Sequence, residues 1–225
     1  MLGTVEPTPF DLRFSLFGIP VRVHPFFWLF SAILGWGDGH DLKLTLLWVA
    51  CVFVSILIHE LGHALTALAY GWPPHIVLYS FGGYASFTPS WGYTTARSVI
   101  VLFAGPGAGF ILYVIVYVLE KLLVQQQVEL SKYAIETFHN MEFINLWWGL
   151  VNLLPVYPLD GGQICRALAT HWRPRAGVDL SLKVSLAVGI GMAFYLFHRG
   201  MTFNALLFAS LAFDNVQSLQ GGRFR

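Results

Sequence analysis

Long runs of apolar residues without a charged side chain dominate the pattern along this chain. Six such runs recur at roughly regular intervals, at residues 23–37, 44–58, 98–119, 143–159, 184–197 and 200–213. Only the third reaches the ~20 residues that cross a bilayer unaided, so the others need polar ends, tilt or shielding by neighbouring helices. The pattern predicts an all-α polytopic membrane protein with about six transmembrane helices.

Composition and charge support this class and exclude others. The 225 residues are 56% apolar and 11% charged, with a mean hydropathy of +0.63, which lies outside the range of soluble domains. The apolar composition predicts the lipid bilayer as partner, and a formal net charge of +1 indicates no nucleic acid. Connections between the runs are too short for a soluble domain, so residues 1–225 are expected to form one membrane domain.

Orientation follows from the basic residues. The N-terminus has no basic region before an apolar core, so no cleavable signal peptide is expected. If both termini are cytoplasmic, nine of the thirteen basic residues face the cytoplasm, as the positive-inside rule requires. These nine are Arg13, Arg22, Arg97, Arg166, Arg173, Arg175, Lys183, Arg223 and Arg225. We therefore predict a multi-pass protein with both termini in the cytoplasm.

The stretch "HELGH", residues 59–63, places three ionisable side chains directly after an apolar run. On a helix, His59 and His63 lie one turn apart on one face, close enough to share a metal ion. Glu60 lies beside them, as in H-E-x-x-H sites where the glutamate takes a proton from water. The alternative is a polar bundle in which the histidines and Glu60 bind one another. Ionisable residues inside a membrane favour the functional interpretation.

A catalytic zinc site usually has three protein ligands, so a third ligand is needed besides the two histidines. The best candidate is Asp160 in "NLLPVYPLDGGQ", residues 152–163, where Gly161 and Gly162 allow the backbone an unusual turn. Prolines at 155 and 158 predict a broken fourth helix, which a membrane tolerates where the break is buried or lines a wet cavity. In the six-helix topology, all three candidate ligands lie at similar depth.

Taken together, these motifs resemble the site-2 protease family of intramembrane zinc metalloproteases, in its minimal six-span form without a PDZ or CBS domain. The family pairs H-E-x-x-H with N-x-x-P followed by L-D-G-G in a later helix, and this chain has 59–63, 152–155 and 159–162. Weaker similarities are "FGG" at 81–83 and "AGP" at 104–106. One departure is "AGPGAGF", which lacks the asparagine that family members often carry after the proline.

The resemblance implies hydrolysis of a peptide bond within or near the transmembrane segment of a single-span membrane protein. His59, His63 and Asp160 would bind Zn²⁺, and Glu60 would be the base and proton shuttle. Asn152 would hold the substrate or the oxyanion, although an asparagine before a broken helix can equally satisfy freed backbone groups. The resemblance also allows a separate regulatory partner.

Two other functions compete with proteolysis. The first is a catalytically silent zinc-binding membrane scaffold or chaperone of the same fold, which would not need Glu60. The second is a transporter with a metal site on its pathway. Only the second and fourth predicted spans have ionisable residues deep inside them, so a continuous polar route for a transported ion is hard to draw.

Residues 75–87, "HIVLYSFGGYASF", predict a short re-entrant β-hairpin. Two β-rich stretches, 76–81 and 84–87, flank Gly82 and Gly83, a pair suited to a two-residue turn. The open edge of such a hairpin is expected to pair with an extended substrate. The alternative is a hairpin that only plugs the helix bundle.

Overall fold

The computed structural model describes residues 6–36, 41–80, 82–88 and 92–221. Strands and helices follow in the order β1 (Leu12–Leu16), β2 (Ile19–Val23), α1 (Pro25–Leu34), α2 (Leu42–Ala69), β3 (Pro74–Tyr79), β4 (Gly82–Phe87), α3 (Thr95–Gln125), α4 (Lys132–Asn152), α5 (Asp160–Trp172), α6 (Gly177–His198) and α7 (Thr202–Gly221). The chain divides into two compact units. The first unit comprises Met1–Gly92 and Ala104–Gly149, and the second comprises Tyr93–Phe103 and Leu150–Arg225.

Three helices in the described part of the chain, α2, α3 and α6, are long and apolar enough to cross a membrane. Within α3, only 28% of the most apolar window is buried, so most of its side chains face outward. A helix that presents apolar side chains on most of its surface is typical of contact with lipid. The chain is therefore an integral membrane protein, as predicted, and its orientation remains a prediction.

The first predicted span, 23–37, differs from the structure. Val23 ends β2, and His24 caps α1 by accepting a hydrogen bond from the backbone N–H of Phe26. The resulting helix has ten residues and a length of about 15 Å, half of the ~30 Å hydrocarbon core. Neither α4 nor α7 is apolar enough to count as a span by composition. The number of six spans therefore stays a prediction.

The first unit contains a four-stranded sheet in the order β1-β2-β3-β4, so the all-α prediction is wrong. Strands β1 and β2 are antiparallel, β2 and β3 are parallel, and β3 and β4 are antiparallel. Alternate residues of β2 and β3 are buried against α2 in one hydrophobic core. This core includes Ile19, Val21, Val23, Ile76, Leu78, Ile56, Leu57 and Ala64. Burial of this shared face favours the register in which these two distant segments pair.

The predicted hairpin is present as β3 and β4, but its turn lies two residues earlier than expected. Gly82 and Gly83 belong to β4, where they pair with Tyr79 and Leu78. Ser80 adopts a left-handed conformation with φ of 45°, which lets the chain reverse before the glycines. Residue 81, at the turn, lies outside the described residues.

In the second unit, the fourth apolar run is broken as predicted. Helix α4 ends at Asn152 and α5 begins at Asp160, so residues 153–159 connect two helices. Val156, in the middle of this connection, is fully buried in a core with residues of α6 and α7, namely Leu196, Ala205 and Phe208. The break is thus covered by protein, which is the condition for irregular backbone inside a membrane.

Candidate metal centre

Helix α2 presents two histidine side chains to one point in the first unit. His59 and His63 are both buried, and their Nε2 atoms are 3.2 Å apart. Two nitrogens at 2.0–2.1 Å from one tetrahedral zinc ion are separated by roughly 3.4 Å. The observed spacing therefore fits two ligands of a single zinc ion, as the four-residue separation predicts.

Helix α3 approaches α2 closely at these histidines because both helices carry small residues there. A Cβ at Gly105 would overlap Nε2 of His63, and a Cβ at Gly62 would overlap the carbonyl oxygen of Ala104. Small residues of this kind let membrane helices approach closely. The "AGP" sequence thus has a packing role at His63.

Helix α4 is joined to α2 by a buried hydrogen bond one turn before His59. The side-chain amide of Asn145 donates to Ser55 Oγ over 2.9 Å and to the carbonyl of Met141 over 2.7 Å. A Cβ at Gly109 would lie 3.5 Å from the carbonyl oxygen of Asn145. An asparagine of α4 therefore lies against the part of α3 that lacks the asparagine expected from the family pattern.

Glu60 is buried, and strand β4 passes directly over it. A Cβ added to Gly83 would lie 3.0 Å from Glu60 Cγ and 3.1 Å from its Oε1. Glycine at this position lets the strand backbone approach the carboxyl group. The second glycine of "FGG" thus serves this approach, whereas the sequence predicted a turn there.

Asp160 is the first residue of α5 in the second unit, and its side chain is buried. Gly161 and Gly162 were expected to adopt an unusual turn, but neither is among the glycines with positive φ. A Cβ at Gly161 would overlap the carbonyl oxygen of Leu153, and one at Gly162 would overlap the backbone at Val156 and Tyr157. The glycine pair therefore lets the first turn of α5 pack on the connecting segment.

His59 and His63 of the first unit and Asp160 of the second are buried side chains of the types that bind metal ions, and these three are the candidate metal group. Two imidazoles and a carboxylate are a donor set that zinc accepts, and three protein ligands leave a fourth position for water or substrate. Asn152, the remaining candidate, is buried at the last position of α4.

The apolar helices define an integral membrane protein, and the paired histidines of α2 give it a candidate metal site. Residues 121–196 match Peptidase family M50. Over 170 residues the chain is 34% identical to Stage IV sporulation protein FB of Bacillus subtilis, covering 75% of this chain and 54% of that protein. It is also 29% identical over 192 residues to Zinc metalloprotease MJ0392 of Methanocaldococcus jannaschii, covering 84% of this chain and 53% of that protein.

A solved structure is similar along almost the whole chain. The Site-2 Protease from Methanocaldococcus jannaschii has a TM-score of 0.64 and 26% identity, covering 93% of this chain and 95% of that one. Residues 121–196 thus form a Peptidase family M50 domain, and the chain is similar to a site-2 protease along most of its length. Relatives named zinc metalloproteases confirm Zn²⁺ as the predicted cofactor. The chain spans about half the length of the curated relatives it matches.

Proposed function

We propose that this chain is an intramembrane zinc endopeptidase that cleaves a single-span membrane protein within or near its transmembrane segment. The observation that supports this most strongly is the buried Glu60 beside two histidines whose Nε2 atoms fit one zinc ion. A zinc-binding scaffold would need the histidines but not the carboxylate between them. The match of residues 121–196 to Peptidase family M50 and the similarity to a named zinc metalloprotease also support a protease.

Each site residue has a role in this proposal. His59, His63 and Asp160 hold zinc, which when bound lowers the pKa of water and polarises the scissile carbonyl. Glu60 takes a proton from the attacking water and passes it to the amine that leaves as the C–N bond breaks. Asn152 donates a hydrogen bond to the substrate or to the oxyanion.

The experiment that tests this function is co-expression with candidate single-span membrane proteins. At least one should be shortened near its membrane segment by the wild-type chain. It should remain intact when Glu60 is replaced by Gln. A panel shortened equally by both proteins would contradict the proposed mechanism, and a panel untouched by both would favour the silent scaffold.

Within the hairpin, β4 is the strand that we propose as the substrate-pairing edge. Strand β3 lies between β2 and β4, so its backbone is already paired on both sides. Strand β4 is an edge strand of the sheet, and its Gly83 lies against Glu60. An extended substrate added to this edge would expose its peptide carbonyls beside the proposed base.

Single prolines in β4 test this edge, because a proline removes one backbone donor. Tyr84→Pro and Ala85→Pro remove neighbouring donors that point to opposite sides of the strand. The variant that loses the outward-facing donor should cleave its substrate at least ~10-fold more slowly, while its zinc content and membrane insertion stay normal. Ser15→Pro on β1, at the other end of the sheet order, is the control. Normal cleavage by both β4 variants, or zinc loss in both, would rule out a pairing edge.

The close approach of α3 to His63 gives a prediction about zinc content. Gly105→Ala should lower zinc affinity by ~10-fold or more, because the new methyl group would overlap the proposed ligand nitrogen. Gly109→Ala is the matched control in the same helix, since its Cβ would meet only an ordinary contact of 3.5 Å. Zinc should be measured in the purified proteins by elemental analysis. Equal zinc content in both variants would mean that Gly105 does not support the ligand.

A further inference from the structure

The backbone of Tyr157, three residues before Asp160, is held by two buried polar side chains of the second unit. Its N–H donates to Ser185 Oγ of α6 over 2.7 Å, and its carbonyl accepts from the Asn215 side-chain amide of α7 over 2.9 Å. Ser185 and Asn215 are each 1% exposed. The backbone N–H and C=O of this residue are thus both satisfied by side chains of other helices.

The orientation of the Asn215 amide follows from its partners. Its nitrogen donates to the carbonyl of Tyr157 and also to the carbonyl of Leu211 over 2.7 Å. A carbonyl oxygen can only accept, so the NH₂ end must face both groups. Replacement by an apolar side chain of similar size would leave the Tyr157 carbonyl without this donor.

The connecting segment in turn supports the helix that carries Asp160. Gly162 packs so closely on the backbone at Val156 and Tyr157 that a Cβ there would overlap it. A displacement of the Tyr157 peptide groups would therefore move the first turn of α5, where Asp160 is the first residue. This contact links the two hydrogen bonds of the Tyr157 backbone to the position of the carboxylate.

We propose that Ser185 and Asn215 are positioning residues that fix the Asp160 carboxylate for zinc binding. They act on the Tyr157 backbone and contact neither metal nor substrate. The proposal rests on the proposed role of Asp160 as a zinc ligand. Residues that orient metal ligands typically change metal affinity by 10-fold to 100-fold when replaced.

The test is the zinc dissociation constant of the purified full chain, measured by competition with a chelator. Ser185→Ala and Asn215→Leu should each raise it by ~10-fold or more, and Ser185→Thr, which keeps the hydroxyl, should restore it. Ser210→Ala and Asn204→Leu in α7 are controls that should change it by less than about twofold. The Ser210 hydroxyl donates within its own helix, to the Leu207 carbonyl.

The melting temperature of the zinc-free protein separates positioning from packing. If the two residues only support packing, both variants melt earlier but bind zinc normally, and the proposal is overturned. If Asn215→Leu does not fold, Ser185→Ala decides, because it removes a single oxygen atom. Wild-type zinc affinity in Asp160→Asn would refute the ligand role itself. If Asp160→Asn loses zinc but Ser185→Ala and Asn215→Leu bind it normally, only the positioning role is refuted.

Discussion

Replacement of Glu60 by Gln is expected to abolish cleavage and to leave zinc binding intact. Glutamine has nearly the same shape as glutamate, so the close contact with Gly83 can persist, but a neutral amide cannot take a proton from water. General bases contribute typically 10²-fold to 10⁴-fold, so the cleavage rate should fall by at least about 100-fold. The rate is measured on a co-expressed or purified single-span substrate, and zinc by elemental analysis.

Glu142→Gln is the matched control for this variant. Glu142 is a half-buried glutamate of α4, outside the candidate metal group, so its replacement should leave the cleavage rate within a few fold of wild type. Zinc loss in Glu60→Gln would mean that the carboxylate supports the metal and that its role as base is unproven. Full activity in Glu60→Gln would remove the proposed mechanism altogether.

The histidine pair of the candidate metal group could be predicted from sequence because it depends on local spacing. The separation of His59 and His63 defines their common face on any helix, and the structure places their Nε2 atoms 3.2 Å apart. The helix break before Asp160 could also be predicted, since prolines 155 and 158 act on the backbone next to them. These features do not depend on what lies elsewhere in the chain.

Two pairings of the sheet were not predicted, that of β1 with β2 and that of β2 with β3. The first has a local signal in the sequence and the second has none. Leu12, Phe14 and Leu16 alternate with polar residues, and β2 continues this alternation after a two-residue turn. This alternation on both sides of a short turn is visible in the sequence, so β1 and β2 could have been predicted. In the structure, Phe17 and Gly18 at the turn both have positive φ, the geometry of a tight hairpin turn. The parallel pairing of Val21 with Ile76 joins segments more than fifty residues apart, and no local pattern specifies it.

Glycines and isolated polar residues show a different limit of sequence reasoning. A glycine reports that a Cβ is absent, but not whether the reason is a positive φ or a close neighbour. Gly83, Gly105 and Gly162 all serve close approach, to Glu60, His63 and the Tyr157 backbone. Ser185 and Asn215 were visible as polar residues in apolar helices, but their partner lies in another part of the chain.

Replacement of Asp160 by Asn is expected to lower both zinc content and cleavage. Asparagine keeps the shape of the side chain but removes the negative charge that makes the carboxylate a good zinc ligand. Zinc affinity should fall by at least ~10-fold, and cleavage should fall with it, whereas Glu60→Gln loses cleavage alone. Zinc stoichiometry and the cleavage rate, measured on the same preparations, distinguish the two variants.

Asp160 also begins a helix, so its charge has a second effect that must be separated from metal binding. A carboxylate in the first turn of α5 interacts favourably with the helix dipole, which is typically worth 0.3–1 kcal/mol. Asp179→Asn in the first turn of α6 is the matched control, because it removes the same kind of interaction from a residue outside the metal group. A dipole effect alone would lower the melting temperature of both variants slightly and leave zinc bound. If Asp160→Asn binds a full equivalent of zinc with wild-type affinity, the third ligand is another residue, and the assignment of α5 to the metal centre is wrong.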